Sequence, residues 1–154
     1  MDQRISLITL AVADVARSRA FYVDGLGWTP ELEAPGVLII RAGEHLLFSL
    51  WSETEFEEEV GPINRGPGVA PLTLAHNVGP KAQVDDVLRT ARVAGADPVA
   101  VTEGPEDGGP PPPAWVAVDR DWGGYSGYFG DPDGYRWEIA CAPGQVNDIV
   151  VPRE

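Results

Sequence analysis

Residues Gly127–Ala140, which read GYFGDPDGYRWEIA, place two apolar runs on either side of a sharp turn. Asp131–Gly134 supplies the turn, because proline presets the backbone and glycine adopts conformations that tight hairpins need. The stretch therefore predicts two paired strands, Tyr125–Phe129 and Tyr135–Cys141. An Asp-Pro-Asp-Gly sequence can also indicate a calcium loop, but the third loop acid and the spacing of such loops are missing, so we predict a plain hairpin turn.

The second strand of this hairpin carries a carboxylate inside an apolar run. Successive side chains of a strand point to opposite faces, so Arg136 and Glu138 share one face while Trp137 and Ile139 share the other. The Trp137 face suits a core covered by a helix, and Trp137 is interpreted as structural. Glu138 then lies on the opposite face, where a carboxylate withdrawn from water needs a hydrogen-bond or charge partner.

The hairpin closes the second of two similar patterns, each of which begins with an apolar strand, continues with a helix and ends in further strands. The first helix is predicted to begin after Asp14 and to end at Gly25. The second is predicted to have Pro80 at its first position and to end at Gly95. The remaining predicted elements are the strands Ile5–Val12, Trp28–Glu33, Val37–Arg41, His45–Trp51, Leu72–Val78 and Pro98–Thr102 and the helices Val15–Val23 and Gln83–Ala94. We predict one domain over residues 1–154, with modules at about 5–52 and about 71–142.

Three segments fall outside this repeat. Residues 53–70 carry an acidic run followed by proline and glycine, which predicts a linker with a helical turn in its acidic part, and residues 143–154 form a C-terminal tail. Residues 103–121 include four consecutive prolines, which exclude a central strand and predict a loop that returns as a short strand at Trp115–Val118. This insertion is either a lid hinged by its glycines or a passive surface loop.

The composition narrows the classes of protein. A net charge of −13 over 154 residues disfavours nucleic acid and anionic membrane surfaces as partners, because like charges repel. No apolar run approaches the length of a membrane span, and the basic start of a signal peptide is missing. The single cysteine, Cys141, cannot form an internal disulfide. We expect a cytoplasmic protein with no nucleic-acid or membrane partner.

Two stretches resemble a known superfamily. ITLAVADVARSRAFYVDGLG at Ile8–Gly27 resembles the opening of the vicinal oxygen chelate superfamily, which includes glyoxalase I, extradiol dioxygenases and bleomycin-resistance proteins. Trp122–Glu138 resembles its closing hairpin, and Leu74–Val78 resembles the second-half strand of its glyoxalase-like members. The resemblance implies an α+β fold of two βαβββ modules whose mixed sheets curl into a cup, with the helices on the outer face. It also implies a homodimer.

In members of this superfamily that hold a metal, four ligands lie on the first and last strands of the two modules. Carried onto this chain, those positions are Leu7, Ser49, Thr73 and Glu138. Divalent transition metals prefer imidazole, thiolate or carboxylate ligands, and only Glu138 is one of these. We therefore predict no metal and no other cofactor, with a divalent metal held by a rearranged ligand set as the alternative.

Glu138 then has two interpretations. Either Arg136 or a hydroxyl such as that of Thr73 satisfies the carboxylate, or the carboxylate receives a cation or acts on a bound molecule as a base. The predicted ligand-binding residues are Ser49, Trp51, Thr73, Trp122, Tyr128, Arg136 and Glu138, with Tyr125 as the alternative to Tyr128 on its strand. Aromatic walls and an uncompensated Glu138 charge predict a preference for planar or cationic organic molecules.

Three functions are compatible with these residues, and whether the chain is an enzyme stays open at this point. The favoured hypothesis is a metal-free protein that binds a small organic molecule and sequesters a toxic compound, as the resemblance to bleomycin-resistance proteins implies. The second is a metal-dependent isomerase, lyase or dioxygenase of the glyoxalase type. The third is a metal-free enzyme in which Glu138, the best catalytic candidate, is a general base.

Overall fold

The chain folds as two units, Met1–Gly68 and Val69–Glu154, and the computed structural model describes residues 1–100 and 111–152. In each unit a first strand is followed by a helix and then by strands that are antiparallel to one another. The last of these strands lies parallel beside the first one, and a short helix follows it. The predicted α+β class with two related modules is confirmed.

The first unit contains a four-stranded mixed sheet. Its elements are β1 (Leu7–Val12), α1 (Val15–Arg19), a π-helical segment (Ala20–Gly25), β2 (Pro30–Ala34), β3 (Val37–Gly43), β4 (Leu46–Ser52) and α2 (Glu53–Glu59). The strand order is β1-β4-β3-β2, with β1 parallel to β4 and the other pairs antiparallel. The Asp14 carboxylate caps α1 as predicted, accepting a hydrogen bond of 2.8 Å from the backbone N–H of Ala16.

The core of the first unit lies between its sheet and the helical segment that follows β1. Phe48 and Leu50, alternate residues of β4, are buried together with Tyr22 from the π-helical segment. The rings of Tyr22 and Phe48 meet edge to face with 5.4 Å between centroids. The predicted single helix is therefore two kinds of helix in succession, and the π turn brings Tyr22 onto the sheet.

The second unit contains a five-stranded mixed sheet. Its elements are β5 (Thr73–Asn77), α3 (Lys81–Ala94), β6 (Asp97–Pro98), β7 (Val118–Asp119), β8 (Tyr125–Gly130), β9 (Arg136–Cys141) and α4 (Gln145–Val150). The strand order is β5-β9-β8-β6, β7 also pairs with β8, and only the β5–β9 pair is parallel. Pro80 is the residue before α3 and not its first residue as predicted, because its backbone is extended.

Helix α3 covers one face of this sheet, which is the face predicted from the parity of β9. Trp137 and Ile139 are 7% and 1% exposed, so the structural interpretation of Trp137 is confirmed. Trp137 stacks on Phe129 of β8 with 6.2 Å between ring centroids. Leu88 of α3 lies directly over Gly127, where a side chain would collide with it.

The edge of the sheet beside β8 is formed by two short strands. β6 pairs with one end of β8 and β7 with the other end. The strand predicted at Trp115–Val118 is shifted to β7, because Trp115 has a φ of 72° and turns the chain. Of the predicted strand Pro98–Thr102 only its first residue lies in β6, and its last two residues lie outside the described residues, as does the 103–110 part of the predicted lid.

The turn between β8 and β9 is a hairpin turn, as predicted. Asp131 is 1% exposed, and its Oδ1 accepts hydrogen bonds from the backbone N–H groups of Asp133 and Tyr135 at 3.0 Å and 2.9 Å. Gly134 has a φ of 87°, which glycine adopts without strain. The Asp131 carboxylate is therefore committed to the turn, which fixes the pairing of the two strands.

The segment after β9 contains a helix where the sequence predicted only a tail. Asn147 anchors this helix, α4, to the end of β5: its Oδ1 accepts a 3.0 Å hydrogen bond from Nδ2 of Asn77, and its Nδ2 donates to the carbonyl of Val78 at 2.9 Å. The helix is thus held by the hydrogen bonds of one polar side chain, whereas helix prediction relies on a stripe of apolar residues. None of the helices in the described ranges is long and apolar enough to span a bilayer.

Candidate ligand-binding face

The face of the second sheet opposite α3 carries its polar side chains. Ser126 and Tyr128 of β8 and Glu138 of β9 lie on this face, and the strand register sets Tyr128 directly opposite Glu138. Arg120, two residues after β7 begins, joins them. We refer to Arg120, Ser126, Tyr128 and Glu138 as the polar cluster.

Tyr128 is the hydrogen-bond partner of Glu138. Its hydroxyl donates to Glu138 Oε1 at 2.9 Å, and both side chains are half-buried. Burial, followed by the hydrogen bond and the negative charge of Glu138, raises the pKa of Tyr128 to about 12, although Arg120 and Ser126 act in the opposite direction. At neutral pH the tyrosine is therefore a neutral donor and the carboxylate its acceptor.

Arg120 is the member of the cluster that sequence reasoning missed. Its Nε donates to the hydroxyl of Ser126 at 3.0 Å and its Nη2 to the carbonyl of Ser126 at 3.4 Å. Its guanidinium lies 5.7 Å from the centroid of the Tyr128 ring, within reach of a cation–π contact. Tyr128 therefore gives the Glu138 carboxylate the hydrogen-bond partner that its burial requires, and a cation lies against the ring of that tyrosine.

Arg136 and Thr73 lie on the same face as Glu138 but do not satisfy it. Arg136 pairs with Gly130 across the strands, and a Cβ on Gly130 would come within 2.9 Å of Arg136 Nη1. Thr73 is exposed and pairs with Arg136 in the β5–β9 register, while Ala75 is the neighbour of Glu138. Within the described ranges neither Arg136 nor Thr73 bonds to Glu138, so the predicted donor is replaced by Tyr128.

The two predicted site residues of the first unit lie on one face of β4, as their parity predicts. Ser49 is 4% exposed and pairs with Thr9 of β1 and Ile39 of β3. Trp51 is half-buried, and its Nε1 donates to Glu55 of α2 at 2.7 Å. The indole of Trp51 is therefore oriented by the acidic helix that follows it.

The aromatic side chains predicted beside Tyr128 have other surroundings. The Tyr125 hydroxyl donates to Asp85 of α3 at 2.9 Å, so Tyr125 belongs to the helix-covered side and is not an alternative to Tyr128. Trp122 lies in the turn between β7 and β8, is 46% exposed and folds back over Gly124. Among the described residues its indole makes no hydrogen bond or ring contact with Tyr128 or Glu138.

The four metal positions implied by the superfamily do not suit a divalent transition metal. Leu7 is a hydrocarbon side chain that is 44% exposed, Ser49 and Thr73 are neutral hydroxyls, and Glu138 already accepts a hydrogen bond from Tyr128. Among residues 1–100 and 111–152 no three His, Cys, Asp or Glu side chains come together as a metal site. The set supplies one good ligand where such metals need three or four.

Comparison with known proteins agrees with this architecture. A family model described as the Glyoxalase/Bleomycin resistance protein/Dioxygenase superfamily matches residues 4–139. The chain is similar to a solved structure of a glyoxalase-related enzyme from Fulvimarina pelagi, with 28% identity over 92% of this chain and 89% of that chain and a TM-score of 0.74.

Two further solved structures are similar in fold. A glyoxalase/bleomycin resistance protein/dioxygenase family enzyme from Burkholderia phytofirmans shares 16% identity over 90% of this chain and 98% of that chain, with a TM-score of 0.70. A lactoylglutathione lyase from Agrobacterium tumefaciens shares 22% identity over 95% and 97% of the two chains, with a TM-score of 0.62. Among curated proteins no match was found.

Proposed function

The chain belongs to the Glyoxalase/Bleomycin resistance protein/Dioxygenase superfamily, and from that premise we propose that it binds a small organic molecule without a metal ion. The binding site that we propose is the polar cluster and the strand surface beside it. The observation that carries the proposal is the half-buried Glu138 carboxylate, oriented by Tyr128 at 2.9 Å on the face opposite α3. A withdrawn, oriented carboxylate is a typical recognition group for a ligand.

The surroundings of Glu138 leave room for a ligand on one side. Tyr128 is its neighbour on β8, whereas its neighbour on β5 is the exposed methyl group of Ala75. Glu138 therefore stands between an aromatic ring and a small side chain, so a planar molecule can lie over Ala75 beside the ring. Sequestration of a toxic compound is the form of binding that we propose, in line with the bleomycin-resistance part of the family description.

Metal independence is tested by elemental analysis of the purified protein. We expect no stoichiometric zinc, nickel, iron or manganese, because only one of the four inherited positions is a good ligand. About one metal ion per chain, lost in Glu138→Gln and retained in a Glu58→Gln control on α2, would overturn this part of the proposal.

Binding at the proposed site is tested by backbone NMR with 4-hydroxybenzamide, a neutral planar probe, at millimolar concentration. We expect shifts of the amides of Ala75, Tyr128 and Glu138, with weaker binding in Glu138→Gln and unchanged binding in Glu58→Gln. Shifts confined to other parts of the chain, or no saturable shift, would contradict the site.

A further inference from the structure

We propose that Arg120 is the anchor for a negatively charged group, so that the ligand is an organic oxyanion that also carries a neutral hydrogen-bond donor. This inference rests on the proposed function and names the chemical class of its ligand. It reverses the preference for cations that the sequence predicted, and it assigns a role to a residue outside the inherited superfamily positions.

The first argument is the pairing of the basic side chains. Aspartate and glutamate outnumber lysine and arginine by 24 to 11, so a basic side chain in this protein meets a carboxylate easily. Within the described ranges such pairs are formed by Arg4, Arg19, Arg41, Arg65, Lys81 and Arg89, whereas Arg92, Arg120 and Arg136 are not seen in one. Across the described ranges, no carboxylate lies within ion-pair distance of Arg120. A half-buried guanidinium that pairs with none of the described carboxylates of so acidic a protein is available to an anion.

The second argument is that Arg120 is held in place. Nε and Nη2 bond to Ser126, which is fully buried, and the guanidinium plane lies near the Tyr128 ring. The Nη1 group makes no bond to any described residue. A planar guanidinium that is fixed along one edge presents its remaining N–H donors in a constant geometry, which suits a carboxylate or a related oxyanion.

The third argument is the separation of the two charges. Arg120 lies against the Tyr128 ring, while Glu138 accepts from the hydroxyl at the end of that ring. The tyrosine thus keeps the cation and the carboxylate apart, and they do not neutralise each other directly. A ligand with the complementary arrangement places its anionic group on Arg120 and a hydroxyl or amide donor toward Glu138. A second anionic group near Glu138 would be repelled.

The test compares three matched probes by NMR titration: 4-hydroxybenzoate, its neutral analogue 4-hydroxybenzamide, and 4-methoxybenzoate, which lacks the donor. At low salt we expect 4-hydroxybenzoate to bind about fivefold more tightly than 4-hydroxybenzamide, as for a favourable ion pair at a half-exposed site. High salt should remove this advantage and leave the amide unaffected. 4-Methoxybenzoate should bind more weakly than 4-hydroxybenzoate in the wild type, and the difference should be smaller in Glu138→Gln, where a neutral amide oxygen replaces the carboxylate.

The variants locate the anchor. Arg120→Gln should abolish the tighter binding of 4-hydroxybenzoate relative to 4-hydroxybenzamide. Arg120→Lys should keep part of this advantage, and Arg89→Gln on α3 should keep all of it. If Arg136→Gln abolishes the advantage and Arg120→Gln does not, the assignment of Arg120 is wrong. If the Gln variant is unfolded, Arg120→Lys decides: a reduced advantage there, with the full advantage in Arg89→Gln, supports Arg120, and an undiminished advantage contradicts it.

The outcomes also separate this inference from the proposed function. Equal binding of the anion and the amide on the Tyr128 face overturns the inference and leaves the proposed function intact. Absence of binding by all three probes contradicts both.

Discussion

Substitution of Gly127 by alanine tests how closely α3 is packed on the sheet that carries the polar cluster. A Cβ at this position would lie 2.6 Å from Leu88 Cδ1 and 3.2 Å from the Cα of Ala117. Leu88 is 1% and Ala117 5% exposed, so neither can move into solvent. Overpacking of this kind costs about 1–3 kcal/mol of the free energy of unfolding. Where no contact opposes it, replacing a strand glycine by alanine raises the free energy of unfolding by about 0.5–1 kcal/mol.

Gly79→Ala is the matched control, because a Cβ there meets nothing within 4 Å. We expect urea denaturation, followed by circular dichroism, to give Gly127→Ala a free energy of unfolding about 1–3 kcal/mol below that of Gly79→Ala, with equal m-values. Leu88→Ala alone should cost about 2–5 kcal/mol, and less when it is combined with Gly127→Ala, because the added methyl group occupies part of the cavity. If Gly127→Ala equals Gly79→Ala in stability, the close approach of α3 to β8 is refuted.

Two further predictions concern the hairpin and its tyrosines. The pKa values of Tyr125 and Tyr128 are raised to about 12 from 10.0 in the folded chain, so the folded chain keeps protons that the unfolded chain loses. The contribution of the two tyrosines to the free energy of unfolding is therefore complete below about pH 10 and is lost between about pH 10 and 12. Urea midpoints at pH 9 and pH 11 should therefore differ less in Tyr128→Phe than in the wild type, and an equal difference would contradict the assignment. Asp131→Ala should lower the free energy of unfolding by about 1–3 kcal/mol, because two backbone N–H groups lose their acceptor, whereas the exposed-turn control Asp121→Ala should change it little.

The fold was predictable because its signals are local. Strand parity placed Trp137 toward a helix and Glu138 on the opposite face, and both positions are found. Asp14 capped its helix as its side-chain chemistry predicts. The helix α4 was not predictable from periodicity, because a six-residue helix held by Asn147 has too few turns to show an apolar stripe.

The site was predicted less completely, because its partners are set by register and by a residue beside an insertion. Parity separates the two faces of each strand, but only the pairing of β8 with β9 places Tyr128, and not Tyr125, beside Glu138. Arg120 follows a segment rich in proline and glycine, and its position depends on β7 pairing with β8. The turn-forming sequence at 121–124 was a signal for that pairing, since it predicts that Arg120 returns beside the strand containing Tyr128.

The two-piece edge of the second sheet has a consequence for how proteins of this kind diversify. Tyr128 and Glu138 belong to a hairpin whose register Asp131 fixes, so their pairing depends on the hairpin alone. Arg120 instead directly follows β7, the short strand that pairs with β8 after the proline-rich insertion. Insertions and deletions are tolerated in connecting segments. A change in that segment can replace Arg120, the anchor that we propose, without altering the hydrogen bond between Tyr128 and Glu138. Under that proposal, the charge preference for a ligand is free to change separately from the framework that orients Glu138.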